Sequence, residues 1–345
     1  MKKHCMPNAL FLVLVLGSSL LLTSCLHRRE QLVIDPDGGV SATHVWRGEP
    51  DDLDFGAVRA PSEATGFDVR RQDGVDDHGH AEVVLEAQAQ YPSASEMPRS
   101  FARADDRLAA AALQFRTEVE IVEEEGRHLY RFTRIYSPRS WASYTVMEWS
   151  AFDHDVLRSL HGGDGAKVLA DPRLRRLAVE GLIRYEQAKV THWAKEALEG
   201  LSLSEHRRQD LRMDLERVVA AWFATEVKAD RLLRMLENSE EGLAEESARL
   251  HDSAREFVLG TMRGWKDIAA NEREAYVLAF DESRHAYEVT EDLGDETLEV
   301  VVTLPGQVLR HEGGKIVDGN VVWSVSGKDL RDHSVVLRAV SVLEE

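Results

Sequence analysis

Residues 171–205 read DPRLRRLAVEGLIRYEQAKVTHWAKEALEGLSLSE. Asp171 ahead of Pro172 sets an N-cap side chain before a proline at the first helical position, where the missing N–H costs nothing. Leu174, Ala178, Gly181, Tyr185, Ala188 and His192 then recur every three or four residues, the period of one helix face. Gly200 ends this helix, and Ser202 with Glu205 makes a capping box that opens the next. Along the second helix Leu211, Leu215, Val218, Trp222, Ala229, Leu232 and Leu236 keep one side apolar. Read without a break from Leu203 to Asn238, it is about 50 Å long at 1.5 Å per residue. Two long helices joined by so short a turn are expected to lie antiparallel as a hairpin.

The helical period extends outward from this stretch, from about Phe152 to Glu291. Ser239 is placed to cap a third helix carrying Leu243, Leu250, Phe257, Val258 and Met262, and a fourth runs from about Ile268 through Tyr276, Phe280 and Tyr287. None is apolar all round, so the expectation is a water-soluble bundle. On both sides the period falls to two. Upstream, Val40, Ala42, His44 and Trp46 alternate with polar neighbours after the turn Asp37-Gly38-Gly39, and Val83, Leu85, Ala87, Ala89 and Tyr91 do the same. The alanine-rich stretch Phe101 to Leu113 reads as a short helix, and Phe115 to Ile121 and Leu129 to Tyr136 as strands. Downstream, Leu298 to Leu304, Val308 to His311, Val321 to Ser326 and Val335 to Leu343 read as strands. The fold class is therefore α+β. An antiparallel sheet domain is expected from 31–150 plus 295–345, with an antiparallel helical segment, 151–294, inserted between its halves.

The N-terminus is a leader: Lys2, Lys3 and His4, then an apolar run from Ala9 to Leu16 that resumes at Leu20 to Leu22. It is shorter than the roughly 20 residues a spanning helix needs, which favours a secretory signal. Its end, Leu22-Thr23-Ser24-Cys25, resembles the lipobox of bacterial lipoproteins. The resemblance implies removal of 1–24 by cleavage between Ser24 and Cys25, a diacylglyceryl thioether on Cys25, and a palmitate-like acyl group on its new amino terminus. Several acyl chains satisfy the need for more than one lipid signal in a stable anchor. The implied location is the bacterial cell envelope, on the extracytoplasmic side: the periplasmic face of the inner or outer membrane, or the cell surface. Residues 25–30 are then a short tether, with Arg28 and Arg29 solvated near the head groups.

The flanking strands carry a second resemblance. Leu304-Pro305-Gly306, Gly313-Gly314 and Asp318-Gly319-Asn320-Val321-Val322-Trp323, with Asp37-Gly38-Gly39 near the start, resemble LppM-like lipoprotein domains. The resemblance implies a lipid-anchored α+β envelope domain, and the long helical segment departs from that pattern.

Charge and cysteine content exclude several functions. Lys+Arg 42 against Asp+Glu 61 gives a formal charge of −19, which argues against nucleic acid as a partner. Cys5 and Cys25 are the two cysteines; with one removed and the other acylated, no disulfide, thiolate metal site or thiol nucleophile remains. The densest group of metal-ligand types is Asp73 to His80, where Asp76, His78 and His80 are the candidates. A solvated turn between two strands is the ordinary account of such a stretch. Glu282 and His285 have the spacing of carboxylate-bridged di-metal bundles, but the other Glu-x-x-His, Glu125 and His128, falls in a turn and strand. His161-Gly162-Gly163-Asp164-Gly165 lacks the lysine placement of a phosphate loop and reads as a helix-ending loop. His192 falls on the apolar seam of its helix. No catalytic motif, cofactor fingerprint or metal signature stands in the chain, so a non-enzymatic protein without cofactor is expected. Its function is read as binding a lipid or other envelope ligand, with Trp141, Trp149, Trp193, Trp222 and Trp265 as candidate groove residues. The alternative is a scaffold whose helical hairpin docks a protein partner.

Overall fold

The computed structural model describes residues 26–54, 57–76, 79–238 and 240–344. The chain divides into two compact units, 142–284 and 23–141 with 285–345. The protein is α+β, and strands from both ends of the sequence share the same sheets.

The sheet unit has eleven strands among the described residues. Those before the helical segment are β1 (His27–Ile34), β2 (Val40–Gly48), β3 (Asp68–Val75), β4 (Ala81–Tyr91), β5 (Phe115–Glu124) and β6 (Arg127–Tyr136). Those after it are β7 (Thr297–Thr303), β8 (Gln307–Glu312), β9 (Lys315–Val317), β10 (Asn320–Ser326) and β11 (Val335–Glu344). A short helix α1 (Pro50–Asp54) follows β2. One sheet runs β3-β4-β2-β1-β7-β10-β9 and the other β5-β6-β11-β8. The first sheet is mixed, because β1 pairs antiparallel with β2 but parallel with β7, Leu32 lying between Ala42 and Val302. The second joins the two ends of the sequence through the antiparallel β6–β11 pair, Phe132 against Ala339. Period two works as expected: Leu32, Ile34, Ala42, Trp46, Val300, Val302 and Trp323 of one sheet share a core with Phe115, Phe132, Tyr136, Leu337 and Ala339 of the other.

Three sequence expectations are corrected in this unit. Residues 27–30 are not a tether: β1 begins at His27, and Leu26 before it is 3% exposed. The reason is parity, because Leu26, Arg28, Glu30, Leu32 and Ile34 all point into the core of a strand flanked on both sides. Phe101 to Leu113 is not a helix and holds only a three-residue 3-10 turn, Ala109–Ala111. Packing overrides alanine propensity there, with Phe101 set among the rings of His44, Phe67 and Phe115 at centroid distances of 4.9, 5.7 and 4.9 Å. Finally, the sheets are not wholly antiparallel, since β1 and β7 run together.

The helical unit contains α2 (Ala142–Ala151), α3 (His154–His161), α4 (Gly165–Ala170), α5 (Pro172–Glu199), α6 (Glu205–Glu226), α7 (Ala229–Asn238), α8 (Glu240–Arg263) and most of α9 (Ala270–Asp292). Asp171 caps α5 as expected, accepting from the N–H groups of Arg173 and Leu174 at 2.8 and 3.3 Å. The cap of α6 is Ser204 rather than Ser202; its hydroxyl accepts from the Arg207 N–H. The long second helix is broken at Val227, whose extended backbone sends a buried side chain into the core before α7 starts. Trp193 of α5 anchors the packing: its indole donates to the Tyr144 hydroxyl at 3.1 Å and it meets Phe280 edge-on. Gly181 permits α5 to approach Phe152, since a Cβ there would fall 2.2 Å from the ring. Ser239 lies outside the described residues.

Candidate functional site

Two buried ion pairs lie in the core of the sheet unit. Glu30 of β1 receives the Arg134 guanidinium of β6, and the Tyr136 hydroxyl donates to its other oxygen at 2.6 Å. Arg134 also donates to the Thr117 hydroxyl of β5 and lies over Phe115, its Cζ 4.1 Å from the ring centre. His44 of β2 closes the group, its Nε2 4.0 Å from Glu30. Burial works against ionisation of Glu30, and the adjoining Arg134 overcomes it, so the carboxyl is held below its usual range. Burial pushes His44 down to about 4, leaving the ring neutral at physiological pH. This pair is well compensated.

The second pair is not. Arg28 donates to Glu296 at 2.6 Å and lies over Trp46 at 4.1 Å. Asp292 stands nearby, accepting from the Ala57 N–H at 2.7 Å, and Asp52 of α1 is also buried. The guanidinium thus acts on two carboxyl groups, Glu296 and Asp292, and Asp52 adds its charge to theirs. Burial, partly offset by Arg28 and reinforced by Asp292, pushes Glu296 up to about 7. Burial raises Asp292 as well and lowers Arg28.

A cavity of about 30 Å³ lies beside these groups, lined by Glu30, His44, Trp46, Phe101, Arg134 and Tyr136. It has room for a water molecule.

Glu30, Arg134 and Glu296 belong to no sequence motif, His44 is expected only as a strand residue and Arg28 is expected in solvent. Arg28 is instead 5% exposed. A signal was available: Arg134 shares parity with Tyr130, Phe132 and Tyr136, and Arg28 and Glu30 share it with Leu32 and Ile34. A charge in an inward register demands a partner.

The residues singled out from sequence are scattered. Cys25, Ser24 and His78 lie outside the described residues. Asp76 and His80 close the β3–β4 turn together: Asp76 accepts from the His80 N–H at 2.8 Å and lies 3.3 Å from its ring. Among the described residues no group of three His, Cys, Asp or Glu side chains is arranged to hold a metal ion. His285 is buried with its Nδ1 3.6 Å from Glu288. His192 is partly exposed, edge-on to Tyr144 and 3.3 Å from Glu196; the seam of α5 instead passes through the fully buried Lys189, which pairs with Glu186 at 2.9 Å. Glu186 also meets His251 at 2.6 Å. The five tryptophans are divided between the two units. Trp141 belongs to the sheet unit, stacked on Tyr287 and under Arg331, whereas Trp193 is core and Trp149 is 54% exposed in the helical unit.

No family model and no curated protein matches the chain. Among solved structures, the NMR structure of the folded domain of the Mycobacterium tuberculosis LppM protein is similar over 93% of this chain and 92% of that one. Its identity is 9% and its TM-score 0.25, a likeness too low to carry an argument about fold or function. Among the described residues no helix is long and apolar enough to cross a membrane.

Proposed function

We propose that this chain is a lipid-anchored protein of the bacterial envelope, acylated at Cys25, whose folded units bind an envelope component without catalysing a reaction. The observation that carries the reading is the lipobox-like Leu22-Thr23-Ser24-Cys25 at the end of an apolar leader, with the core strand β1 beginning at His27 just after it. Docking of a protein partner on the helical unit is the second reading, favoured by Val146, Trp149 and Met213, which are exposed there.

Growth with an alkyne analogue of palmitate tests the anchor. Label and membrane sedimentation are expected for the wild-type chain and lost in Cys25→Ser. An unlabelled wild-type chain, or equal labelling of the variant, overturns the reading.

A further inference from the structure

We infer that one end of the sheet unit, where β1 and β7 begin and β2 and β10 finish, is the face that rests on the lipid bilayer. The inference rests on acylation of Cys25. Leu26 is a fixed point: it is 3% exposed, belongs to the sheet core and packs over Gly48, where a Cβ would fall 2.8 Å from its Cδ1. Consecutive Cα atoms are about 3.8 Å apart, so an acyl group on residue 25 is attached one peptide unit from the core.

Register then defines the end. His27 lies between Arg47 and Thr297, and Thr297 is paired on its other side with Ser326. The Asp35–Gly39 and Asp318–Gly319 turns lie at the opposite end, seven residues along β1, about 23 Å at 3.3 Å per residue. The exposed rim near the anchor holds His27, Arg47, Glu49, Thr297 and Lys328. Its charges are mixed in sign. The acyl chains, rather than attraction to anionic lipid, therefore set the orientation.

The mature chain has no cysteine besides the acylated one, so Thr297→Cys and Asp37→Cys each give a single labelling site. Each full-length variant is produced in bacteria, checked for acyl mass, labelled with bimane and placed in phosphatidylcholine vesicles carrying a head-group quencher. The Thr297 site is expected to lose most of its emission and the Asp37 site little. Equal or reversed quenching in acylated protein overturns the inference and leaves the anchor standing, whereas absence of the acyl mass overturns the anchor and the inference together. A flexible Gly-Ser insert between Cys25 and Leu26 is expected to erase the contrast; a contrast that survives it overturns the short attachment as the cause.

Discussion

Arg28 and Glu296, 268 positions apart in the chain, meet through a buried 2.6 Å hydrogen bond in which the guanidinium serves a carboxyl group crowded by Asp292 and Asp52. Folding raises Glu296 from its ordinary 4.5 to about 7. The folded state therefore keeps a proton that the unfolded chain has released. The contribution to stability is whole below pH 4.5 and is lost as pH rises through 7. Glu296→Gln is expected to gain on the wild-type protein between pH 5 and 7.5, by no more than about 3 kcal/mol. Urea unfolding of both proteins at the two pH values measures the difference; an unchanged difference rejects the assignment.

His44 acts in the opposite direction. Its folded pKa is depressed to about 4 from 6.5, so its stabilising contribution is whole above pH 6.5 and is lost as pH falls towards 4. The slope in that window is expected to approach about 1.4 kcal/mol per pH unit. His44→Leu should flatten it, and the ring should titrate near pH 4 by NMR in the wild-type protein. Because the two effects overlap between pH 5 and 6.5, each is read as the difference between variant and parent.

Glu30 and Arg134 test the cost of stranding a buried charge. Arg134→Met alone leaves Glu30 with the Tyr136 hydroxyl but no cation, and a loss of about 3–5 kcal/mol is expected. Adding Glu30→Leu should recover a large part of it, because two apolar side chains replace the pair. Chemical denaturation of the single and double variants gives the coupling; additive losses would contradict it.

Gly181→Ala sets two effects against each other. Alanine gains about 1 kcal/mol of helix propensity inside α5, yet its Cβ would fall 2.2 Å from the Phe152 ring in a packed cluster. Overpacking is expected to win, with a net loss of about 1–2 kcal/mol. Combining it with Phe152→Leu should restore most of the loss, read by thermal unfolding.

Much of the scaffold could be read from periodicity alone. The period switch read at about Phe152 falls inside the helical segment, which already begins with α2 (Ala142–Ala151); Asp171 caps α5, and the Asp37-Gly38-Gly39 turn joins β1 to β2. What escaped the sequence depends on contacts between distant segments. Phe101 leaves its helical propensity for a place among rings, Val227 breaks a continuous pattern by turning into the core, and the direction of β7 beside β1 has no local signature. The core charges are hidden for a simpler reason: residue type alone places Arg28 in solvent, whereas its parity with Leu32 places it inside.

The parallel pairing of β1 with β7 also sets an order of events during synthesis. As the chain is made from its N-terminus, β1 can pair with β2 early, but its other edge has no partner until the segment from Thr297 to Thr303 emerges. The loop to be closed includes the whole helical unit, whose own contacts are contiguous in sequence. Helices should therefore become protease-resistant first, while one edge of β1 waits. A chain arrested before residue 295 is expected to yield a protected helical fragment and digested N-terminal strands, the early-made end being the last to mature.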